Sequence, residues 1–372
     1  MPEHLLVPVL LLIPTAIQLI YLLLIYTRFV FAKAVRSDET GNDLPISVIV
    51  CGRNEEENFR QNLPKLLTQN YPNYQVVAVN DQSIDNSKDV LEELQQQYPH
   101  LRIVDVLEND RFWRGKKYGL TLGIKAAEHE HLLFTDADCE PASDQWIKEM
   151  AAGFNKKGKM LVLGFGAYKR ASGLINLLIR FETLQTAIQY FSLALWGSPY
   201  MGVGRNLAYT KTLFFDQKGF VPHMHIPMGD DDLFVNAAAT GKNTAAIFTK
   251  ESFTYSEPKH AFGEWFEQKR RHLATSGKYR GGSKLVLALY GATAILYYMS
   301  IFAAAFIPGL PMWVWYALAS RFVLHYLVFA FGAKKTGDWD VLLILPFVEV
   351  LLLLNLLVIQ LANRFNKTYK WK

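Results

Sequence analysis

Short apolar runs alternate with helical patterns between residues 46 and 135. Runs of apolar and β-branched residues predict buried strands at residues 46–51, 75–80, 101–106 and 131–135. Apolar positions three and four apart predict helices between them, at residues 56–68, 87–97 and 116–128. This order predicts an α/β fold, a mainly parallel sheet covered by helices, and such sheets bind ligands at the carboxyl ends of their strands.

The N-terminal stretch is continuously apolar. Residues 5–27 contain no charged side chain, and 23 helical residues at about 1.5 Å each would cross a hydrocarbon core of about 30 Å. A cleaved secretory signal is the alternative, but such signals begin with a basic segment and end at a small-residue cleavage site. Because neither is present, the segment is predicted to be a membrane-spanning helix.

Two or three further spans are predicted towards the C-terminus. Residues 285–320 carry no charge and are broken by a turn at residues 308–311, which predicts two spans, the second continuing to about Ala333. Residues 341–363 contain one charge, Glu349, and fit either a third span or a re-entrant or interfacial helix. For Arg321 and Glu349, both at predicted membrane depth, mutual pairing or snorkelling is favoured over a direct functional role.

Basic residues near the predicted spans indicate the orientation, because Lys and Arg favour the cytoplasmic side. They occur at Arg28, Lys33, Arg36, Lys278, Arg280, Lys284, Lys334 and Lys335. The middle domain is therefore predicted to be cytoplasmic, in a multi-pass protein of the cell (inner or plasma) membrane. The basic tail residues Arg364, Lys367, Lys370 and Lys372 agree with this only if residues 341–363 do not cross.

The predicted divisions are an N-terminal helix (1–30), a cytoplasmic domain (40–280), a membrane region (285–363) and a basic tail (364–372). The formal net charge is +5, but residues 28–284 hold 32 basic and 30 acidic side chains, so most of the excess lies in the membrane part. A nucleic-acid partner is therefore not expected. Cys51 and Cys139 lack metal-ligand spacing, which indicates a reducing compartment.

Polar side chains follow the predicted strands. Asp136 and Asp138 come directly after the fourth strand, and two such hard oxygen ligands can hold Mg²⁺ or Mn²⁺. Asp81 follows the second strand and either binds a base or ribose or belongs to a helix start. The first strand is followed by Arg53, Asn54 and Glu55. Neither a Gly-x-Gly-x-x-Gly fingerprint nor a Walker loop occurs in the sequence, which disfavours classical dinucleotide binding and P-loop hydrolysis.

Two charged clusters occur later in the chain. Asp230, Asp231 and Asp232 precede an apolar helical pattern, and crowding of three acids raises at least one pKa, which suits a general base. A solvated helix start is the alternative. The basic run at residues 269–272 either contacts lipid headgroups or neutralises a departing diphosphate, and its spacing does not distinguish the two.

In their order along the chain, these clusters resemble the motifs of the family 2 glycosyltransferases, inverting enzymes with the GT-A fold. The matching segments are the Arg-Asn-Glu turn within 48–58, Val-Asn-Asp-Gln-Ser at 79–83, Gly-Lys at 115–116, Asp-x-Asp at 136–138, Gly-Val-Gly-Arg-Asn-Leu-Ala-Tyr at 202–209, Gly-Asp-Asp-Asp-Leu at 229–233 and Gln-x-x-Arg-His at 268–272. The resemblance covers about residues 45–275. The chain departs from the family at Asn80, which replaces an acid, at Gly229, which replaces a Glu, and at His272, which replaces a Trp.

The resemblance implies a role for each matching residue. Donor binding falls to Arg53, Asn54, Glu55, Asp81, Lys116, Asp136 and Gln268, metal binding to Asp136 and Asp138, and the acceptor side to Gly204 and Asn206. It implies that Asp230 is the base, with Asp231 as the second candidate, and that Arg271 stabilises the departing diphosphate. The implied cofactor is a divalent cation, Mg²⁺ or Mn²⁺.

The implied function is transfer of one sugar from a nucleotide sugar, UDP-linked being favoured, to a lipid-linked acceptor with inversion. The first alternative is a processive polysaccharide synthase of the hyaluronan, chitin or cellulose type. The non-enzyme alternative is a small transporter or scaffold with a nucleotide-sensing domain. Residues 172–200 fit either an interfacial helix at the acceptor entrance or a core helix.

Overall fold

The computed structural model describes residues 3–35, 44–107 and 115–365. The predicted basic residue Arg36, the predicted domain start at residue 40, the side chain of Arg364 and the tail from residue 366 onwards lie outside what is described.

A seven-stranded sheet in the order β3-β2-β1-β4-β8-β6-β9 forms the centre of the polar domain. The strands are β1 (Ile46–Gly52), β2 (Tyr74–Asp81), β3 (Leu101–Val106), β4 (His131–Asp136), β5 (Cys139–Pro141), β6 (Leu161–Leu163), β7 (Gly166–Tyr168), β8 (Leu207–Thr210), β9 (Thr244–Ala246) and β10 (Thr254–Ser256). The first four strands pair in parallel, and β8 is antiparallel to both of its neighbours. The predicted mainly parallel α/β sheet is confirmed.

Helices cover the sheet and continue into an apolar bundle. They are α1 (Glu3–Ile20), α2 (Thr27–Phe31), α3 (Glu56–Leu67), α4 (Ser87–Gln97), α5 (Lys116–Ala126), α6 (Trp146–Ala151), α7 (Leu174–Leu195), α8 (Lys211–Asp216), α9 (Asp232–Ala238), α10 (Phe262–Leu273), α11 (Gly281–Ala305), α12 (Met312–Thr336) and α13 (Leu345–Phe365). The elements predicted between residues 46 and 135 are all present, with ends within two residues of prediction.

The central strands are apolar on both faces because each face packs against helices. Ile49 of β1 belongs to a core that also contains Ile124 of α5, whereas its neighbours Val48 and Val50 belong to a second core with Phe59 of α3. Side chains alternate between faces at a period of two, so one continuous apolar run serves both layers. A Cβ at Gly123 would lie 2.7 Å from Val79, so the absence of a side chain brings α5 close to the sheet.

A three-stranded sheet in the order β5-β10-β7 lies beside the end of β4. Strand β5 begins at Cys139, directly after the predicted metal-binding loop, and pairs antiparallel with β10. The short sheet therefore fixes the loop that carries Asp136 and Asp138.

Three helical stretches among the described residues are long and apolar enough to cross a membrane: Leu6–Phe31, Gly281–Ala305 and Met312–Thr336. The first joins α1 to α2 through a π-helical turn, Tyr21–Tyr26. The apolar part of α13 is shorter, Phe347–Asn363, and falls below that length. The helices predicted at 5–27 and 285–333 are thus present, and the last predicted span is the least extended.

Both ends of the segment that includes α13 contact the polar domain. Ahead of it, Arg180 of α7 donates to Asp338 at 2.9 Å and to Asp340 at 2.6 Å. At its far end, the Asn363 amide donates to the backbone carbonyl of Arg270 in α10 at 3.0 Å. Helices α7 and α10 are themselves joined, because Lys269 lies 2.7 Å from Glu182.

The two charges predicted at membrane depth pair with each other. Arg321 of α12 is 0% exposed and donates to both carboxylate oxygens of Glu349 in α13, at 2.9 Å to the first and 2.5 Å to the second. Gln18 of α1 accepts a further hydrogen bond from Arg321 at 3.0 Å, and His325 lies 3.2 Å from Glu349. Mutual pairing, rather than snorkelling, accounts for these residues.

The segment predicted as either an interfacial or a core helix is α7. Its buried positions include Phe181, which stacks on Phe329 of α12, and Ile188, which packs on Gly332. Ser192 donates to the carbonyl of Tyr26 at the end of the first apolar stretch. Helix α7 is therefore a core helix that joins the polar domain to the membrane-type helices.

Candidate active site

The loops after β1 and β2 are tied together at the carboxyl edge of the sheet. Asn54 has a φ of 55°, its backbone N–H donates to Ser83 Oγ at 2.9 Å, and its side-chain oxygen accepts from the N–H of Ile84 at 2.8 Å. The N–H of Glu55 donates to Ser87 Oγ at 3.1 Å. Two residues predicted from the first strand end are thereby held against the second strand end, and Arg53 lies beside them in the same turn.

Asp81 ends β2 and is only 2% exposed. Its carboxyl carbon lies 3.7 Å from the position that a Cβ on Gly119 of α5 would occupy. Because Gly119 is three residues after Lys116, Asp81 and Lys116 lie along the same side of the first turn of α5. The structure therefore brings the predicted nucleoside residues close to the predicted phosphate residues.

Lys116 joins two acids that are 94 residues apart in the chain. Its Nζ lies 2.7 Å from Asp136 Oδ1 at the end of β4 and 3.0 Å from Asp230 Oδ2 just ahead of α9. The preceding residue, Gly115, has a φ of 106°, a conformation that favours glycine and that turns the chain into α5. The cleft around this lysine is also lined by Thr135, Gly204, Tyr209 and Asp231.

Asp136, Asp138 and Cys139 form a group whose ligand atoms lie within 4.8 Å of one another. Burial raises the pKa of Asp136, Asp138 adds to that rise, and Lys116 opposes it. Cys139 is a poor ligand, because burial raises the pKa of its thiol and its sulfur is already 3.0 Å from Ser256 Oγ. The two carboxylates fit a hard divalent cation, whose charge would relieve the repulsion between them.

The three adjacent acids have different surroundings. Asp231 caps α9 by accepting from the N–H of Asp232 at 2.7 Å, and its other oxygen accepts from the N–H of Gly204 at 2.8 Å. Asp232 is buried and accepts from the hydroxyl of Tyr279 at 2.7 Å and from that of Thr275. Of the three, Asp230 and Asp231 line the cleft, whereas Asp232 connects α9 to the segment between α10 and α11.

Electrostatics separates the two cleft acids further. Burial opposes ionisation of Asp230, but the Lys116 ammonium outweighs burial and holds the pKa of Asp230 below its usual value. Burial and the neighbouring carboxylates Asp230 and Asp232 raise the pKa of Asp231 to about 7. The site thus contains one carboxylate that is ionised at neutral pH and one that titrates there.

The residues predicted in α10 are not among those that line this cleft. Gln268 donates to the Tyr168 hydroxyl at 3.2 Å. Arg270 is buried and turned towards Glu267 and Asn363, whereas Arg271 is half-buried and has no ion-pair partner within the described ranges. Of the two arginines, Arg271 is therefore the one available to an anion.

The two predicted acceptor-side residues differ. Gly204 lines the cleft. Asn206 is 0% exposed, accepts from Trp146 Nε1 at 3.2 Å and donates to the carbonyls of Phe165 and Ser252 at 3.0 and 2.7 Å. The prediction that Asn206 faces an acceptor is not supported by this geometry, because all of these bonds hold the loop within the core.

Sequence reasoning missed Arg205, which lies between those two residues. Its guanidinium stacks 4.2 Å from the ring centroid of Tyr168 and donates to the carbonyls of Gly166 and Ala167. The same side chain interacts electrostatically with Asp138 and Asp136. Arg205 is part of the glycine-containing motif at 202–209, so the sequence did mark its position. Its partners belong to β7, however, and this strand is too short to predict.

A family model described as Glycosyl transferase family 2 matches residues 47–220. A poly-β-1,6-N-acetyl-D-glucosamine synthase from Staphylococcus epidermidis is 29% identical over 113 residues, covering 30% of this chain and 25% of that protein. Glycosyltransferase AglE from Haloferax volcanii is 30% identical over 121 residues, covering 32% of this chain and 38% of that protein. The chain thus matches well under half the length of either relative.

Among solved structures, a mannosyltransferase from Pyrobaculum calidifontis, in complex with GDP-Man and Mn²⁺, superposes with a TM-score of 0.59 at 18% identity. The superposition covers 91% of this chain and 97% of the other. At this identity the likeness concerns the fold, and it extends beyond the polar domain because nearly the whole chain is covered.

Proposed function

We propose that this protein, whose residues 47–220 match the family 2 glycosyltransferase model, transfers a single sugar from a nucleotide-sugar donor to a membrane-associated, lipid-linked acceptor. The observation that carries the proposal is the joining of Asp136 and Asp230 through one lysine. A site for the donor phosphates and a candidate base are thereby adjacent. Transfer in one displacement inverts the anomeric carbon.

The donor would bind along the carboxyl edge of the sheet. Asp81 and the Asn54–Glu55 turn lie where the nucleoside would be held, and Arg53 flanks them. Asp136 and Asp138 would hold Mg²⁺ or Mn²⁺, which, when bound, neutralises charge on the diphosphate. Lys116 would donate to the same phosphates, and Arg271 and Gln268 approach from α10 to stabilise the leaving diphosphate.

Asp230 would accept the proton of the acceptor hydroxyl. Its Oδ2 is held by Lys116, and once the lysine donates to the donor phosphates, the charge that lowers the pKa of Asp230 is withdrawn. Its proton affinity would then rise as the donor binds. Asp231 remains the second candidate, because its carboxylate also lines the cleft and its pKa of about 7 suits a base at neutral pH.

The acceptor would reach the cleft from the bilayer. Asp232, one residue beyond the cleft acids, hydrogen-bonds Thr275 and Tyr279 in the connection to α11. The acids are therefore anchored to the first C-terminal helix of membrane-spanning length. This proximity supports a lipid-linked acceptor at the cytoplasmic surface.

For the membrane placement we propose that α13 enters and leaves on the cytoplasmic side. A full crossing would separate its two ends by about 30 Å of hydrocarbon, yet Asp338 ahead of it is bonded to α7 and Asn363 at its end to α10. The Arg321–Glu349 pair would hold the beginning of α13 against α12. The basic tail would then obey the positive-inside preference.

Cysteine labelling in intact cells tests this placement, since native Cys51 and Cys139 are buried. Lys370→Cys in the tail should react with an impermeant maleimide only after permeabilisation. Gly309→Cys, between α11 and α12, should react in intact cells and is the control for the opposite side. Labelling of Lys370→Cys in intact cells would show that α13 crosses.

A processive synthase is the second candidate, because the similarity to the Staphylococcus epidermidis synthase favours it. Two observations favour single transfer. His272 occupies the position of the Trp that the resemblance associates with polymer synthases, and α11 and α12 are the C-terminal helices of spanning length among the described residues. Product length separates the two functions.

The decisive experiment is a screen of nucleotide sugars, including UDP-N-acetylglucosamine and GDP-mannose, with the full chain in membranes and Mn²⁺ or Mg²⁺. Mass analysis of lipid extracts should find one added sugar. Long polymer would support the processive synthase. Absence of both transfer and donor hydrolysis would contradict a glycosyltransferase.

A further inference from the structure

Lys117 is buried next to Lys116 but shares none of its hydrogen bonds. It is only 4% exposed, and its Nζ donates to three backbone carbonyls, those of His223 at 2.8 Å, Ile226 at 3.0 Å and Met228 at 2.7 Å. An ammonium has three N–H donors, so these three bonds use all of them. A buried lysine pointed at carbonyls rather than carboxylates is a specific arrangement that the proposed mechanism does not otherwise use.

The three carbonyls belong to the segment that leads into the cleft acids. Residues 224–230 form an irregular loop that ends at Asp230, one residue before the cap of α9. Within the described residues, the carbonyls of Ile226 and Met228 accept no backbone hydrogen bond, so Lys117 is the donor that binds them. Within the loop, His225 and Pro227 are exposed, whereas Met224 and Ile226 pack against the core, so the Lys117 bonds add to a partial packing.

Neighbouring lysines thus fix the same acid in two ways. Lys116 holds the carboxylate of Asp230 directly, whereas Lys117 holds the backbone that delivers it. Both project from the first turn of α5, and α5 packs on β1 and β2. Through Lys117 the loop is therefore attached to a helix that the sheet holds in place. When Lys116 turns to the donor phosphates, Lys117 would be left to keep Asp230 in place.

We propose that Lys117 is a positioning residue that clamps the loop at residues 223–228 and so aims Asp230 and Asp231 at the acceptor. The proposal rests on the proposed glycosyl transfer for its catalytic consequence. The clamp itself is a property of the fold that can be measured without turnover.

The test compares Lys117→Met, which keeps the length of the side chain but has no donor, with Lys159→Met as the matched control. Lys159 also donates to two backbone carbonyls, those of Gly241 and Thr244, but at the far edge of the sheet. Hydrogen–deuterium exchange of the full chain in detergent should become faster for the amides of residues 223–232 in Lys117→Met alone.

Turnover supplies the second measurement. With whichever of UDP-N-acetylglucosamine or GDP-mannose the wild type uses, Lys117→Met should lower kcat about 100-fold, the loss expected from misplacing a catalytic group by about 1 Å. The donor KM should stay within about threefold, because the donor-binding residues are unchanged. A purely structural defect would instead lower the amount of folded enzyme and leave the kcat and KM of the folded fraction unchanged. Lys117→Arg, which restores several donors, should recover part of kcat.

Unchanged exchange and an unchanged kcat in Lys117→Met would overturn the clamp. If that variant does not fold, Lys117→Gln retains two donors, and it should show a smaller change in the same two measurements. If the wild type turns over no nucleotide sugar, the proposed function fails, whereas the exchange comparison still decides whether Lys117 orders the loop.

Discussion

Two clusters of charged side chains are withdrawn from water in this protein, and they differ in charge balance. In the bundle, the Arg321 guanidinium faces the Glu349 carboxylate, and His325 and Gln18 add further polar contacts. At the sheet edge, Lys116 pairs with both Asp136 and Asp230, and further acids lie beside each of them. The first cluster is balanced and closed, whereas the second has too many acids and opens to a cleft.

The difference indicates which cluster binds ligands. A buried pair with complementary partners gains nothing from an added ion, because its charges already satisfy each other. A group in which carboxylates outnumber the cations retains uncompensated negative charge, which a divalent cation or a proton would relieve. The charges of the bundle are therefore satisfied within the fold, whereas the charges at the sheet edge are the ones that the proposed function uses.

The largest effect is expected at the unbalanced cluster. Asp230→Asn should lower the transfer rate about 10³-fold, within the range for loss of a general base, since the amide cannot take the proton. Binding of the nucleotide sugar, measured by calorimetry, should persist. The exposed Asp216→Asn is the control and should keep full activity. Full activity of Asp230→Asn would remove Asp230 as the base and leave Asp231.

Breaking the balanced cluster should cost stability instead of chemistry. Glu349→Gln leaves the Arg321 guanidinium buried without a counter-charge and should lower the free energy of unfolding by about 3–5 kcal/mol. Thermal unfolding in detergent measures this, and kcat per folded molecule should not change. Replacing both Arg321 and Glu349 by Met should recover most of the lost free energy of unfolding. A double variant as unstable as Glu349→Gln would show that the pair does more than compensate charge.

A third prediction concerns the pH dependence of stability. The pKa of Asp231 is raised to about 7 in the folded protein, against about 3.9 in an unfolded chain. The folded state therefore holds this proton more tightly between those values, and wild-type stability falls as pH rises through them. Asp231→Asn lacks this loss, so its gain in Tm over wild type should grow from pH 4 to pH 7 and then level off. A gain in Tm that does not change with pH would mean that the pKa of Asp231 is not raised in the folded protein.

The smallest effect is expected where charges are exposed. Arg60 lies 3.5 Å from Glu93 and 3.9 Å from Glu56 on the outer helices, with its side chain about half exposed. Solvent screens such pairs, so Arg60→Ala should change the free energy of unfolding by less than about 1 kcal/mol. Chemical unfolding in detergent measures this change. A loss comparable to that of Glu349→Gln would mean that burial does not decide how much an ion pair contributes to stability here.

The first half of the polar domain was predictable because its central strands β1, β2 and β4 are buried on both faces. Residues 46–51 read as one apolar run, and the polar residues that follow each run must lie at one edge of a parallel sheet. The later strands β5, β6, β7, β9 and β10 have three residues each, too few for any periodicity to appear. The pairing of these strands, and with it the position of Arg205, depends on contacts between residues that are far apart in the chain.

The sequence by itself determined the chemistry available: the acids at the strand ends, the three adjacent aspartates before α9, and the apolar helices at both ends of the chain. The tertiary structure decided how those groups are used. It placed Lys116 between two acids, turned Arg270 towards α13, buried Asn206 and paired Arg321 with Glu349. It left Arg271 without an ion-pair partner among the described residues. The physical reason is that burial and charge compensation depend on distances between residues far apart in the chain, which local patterns do not record.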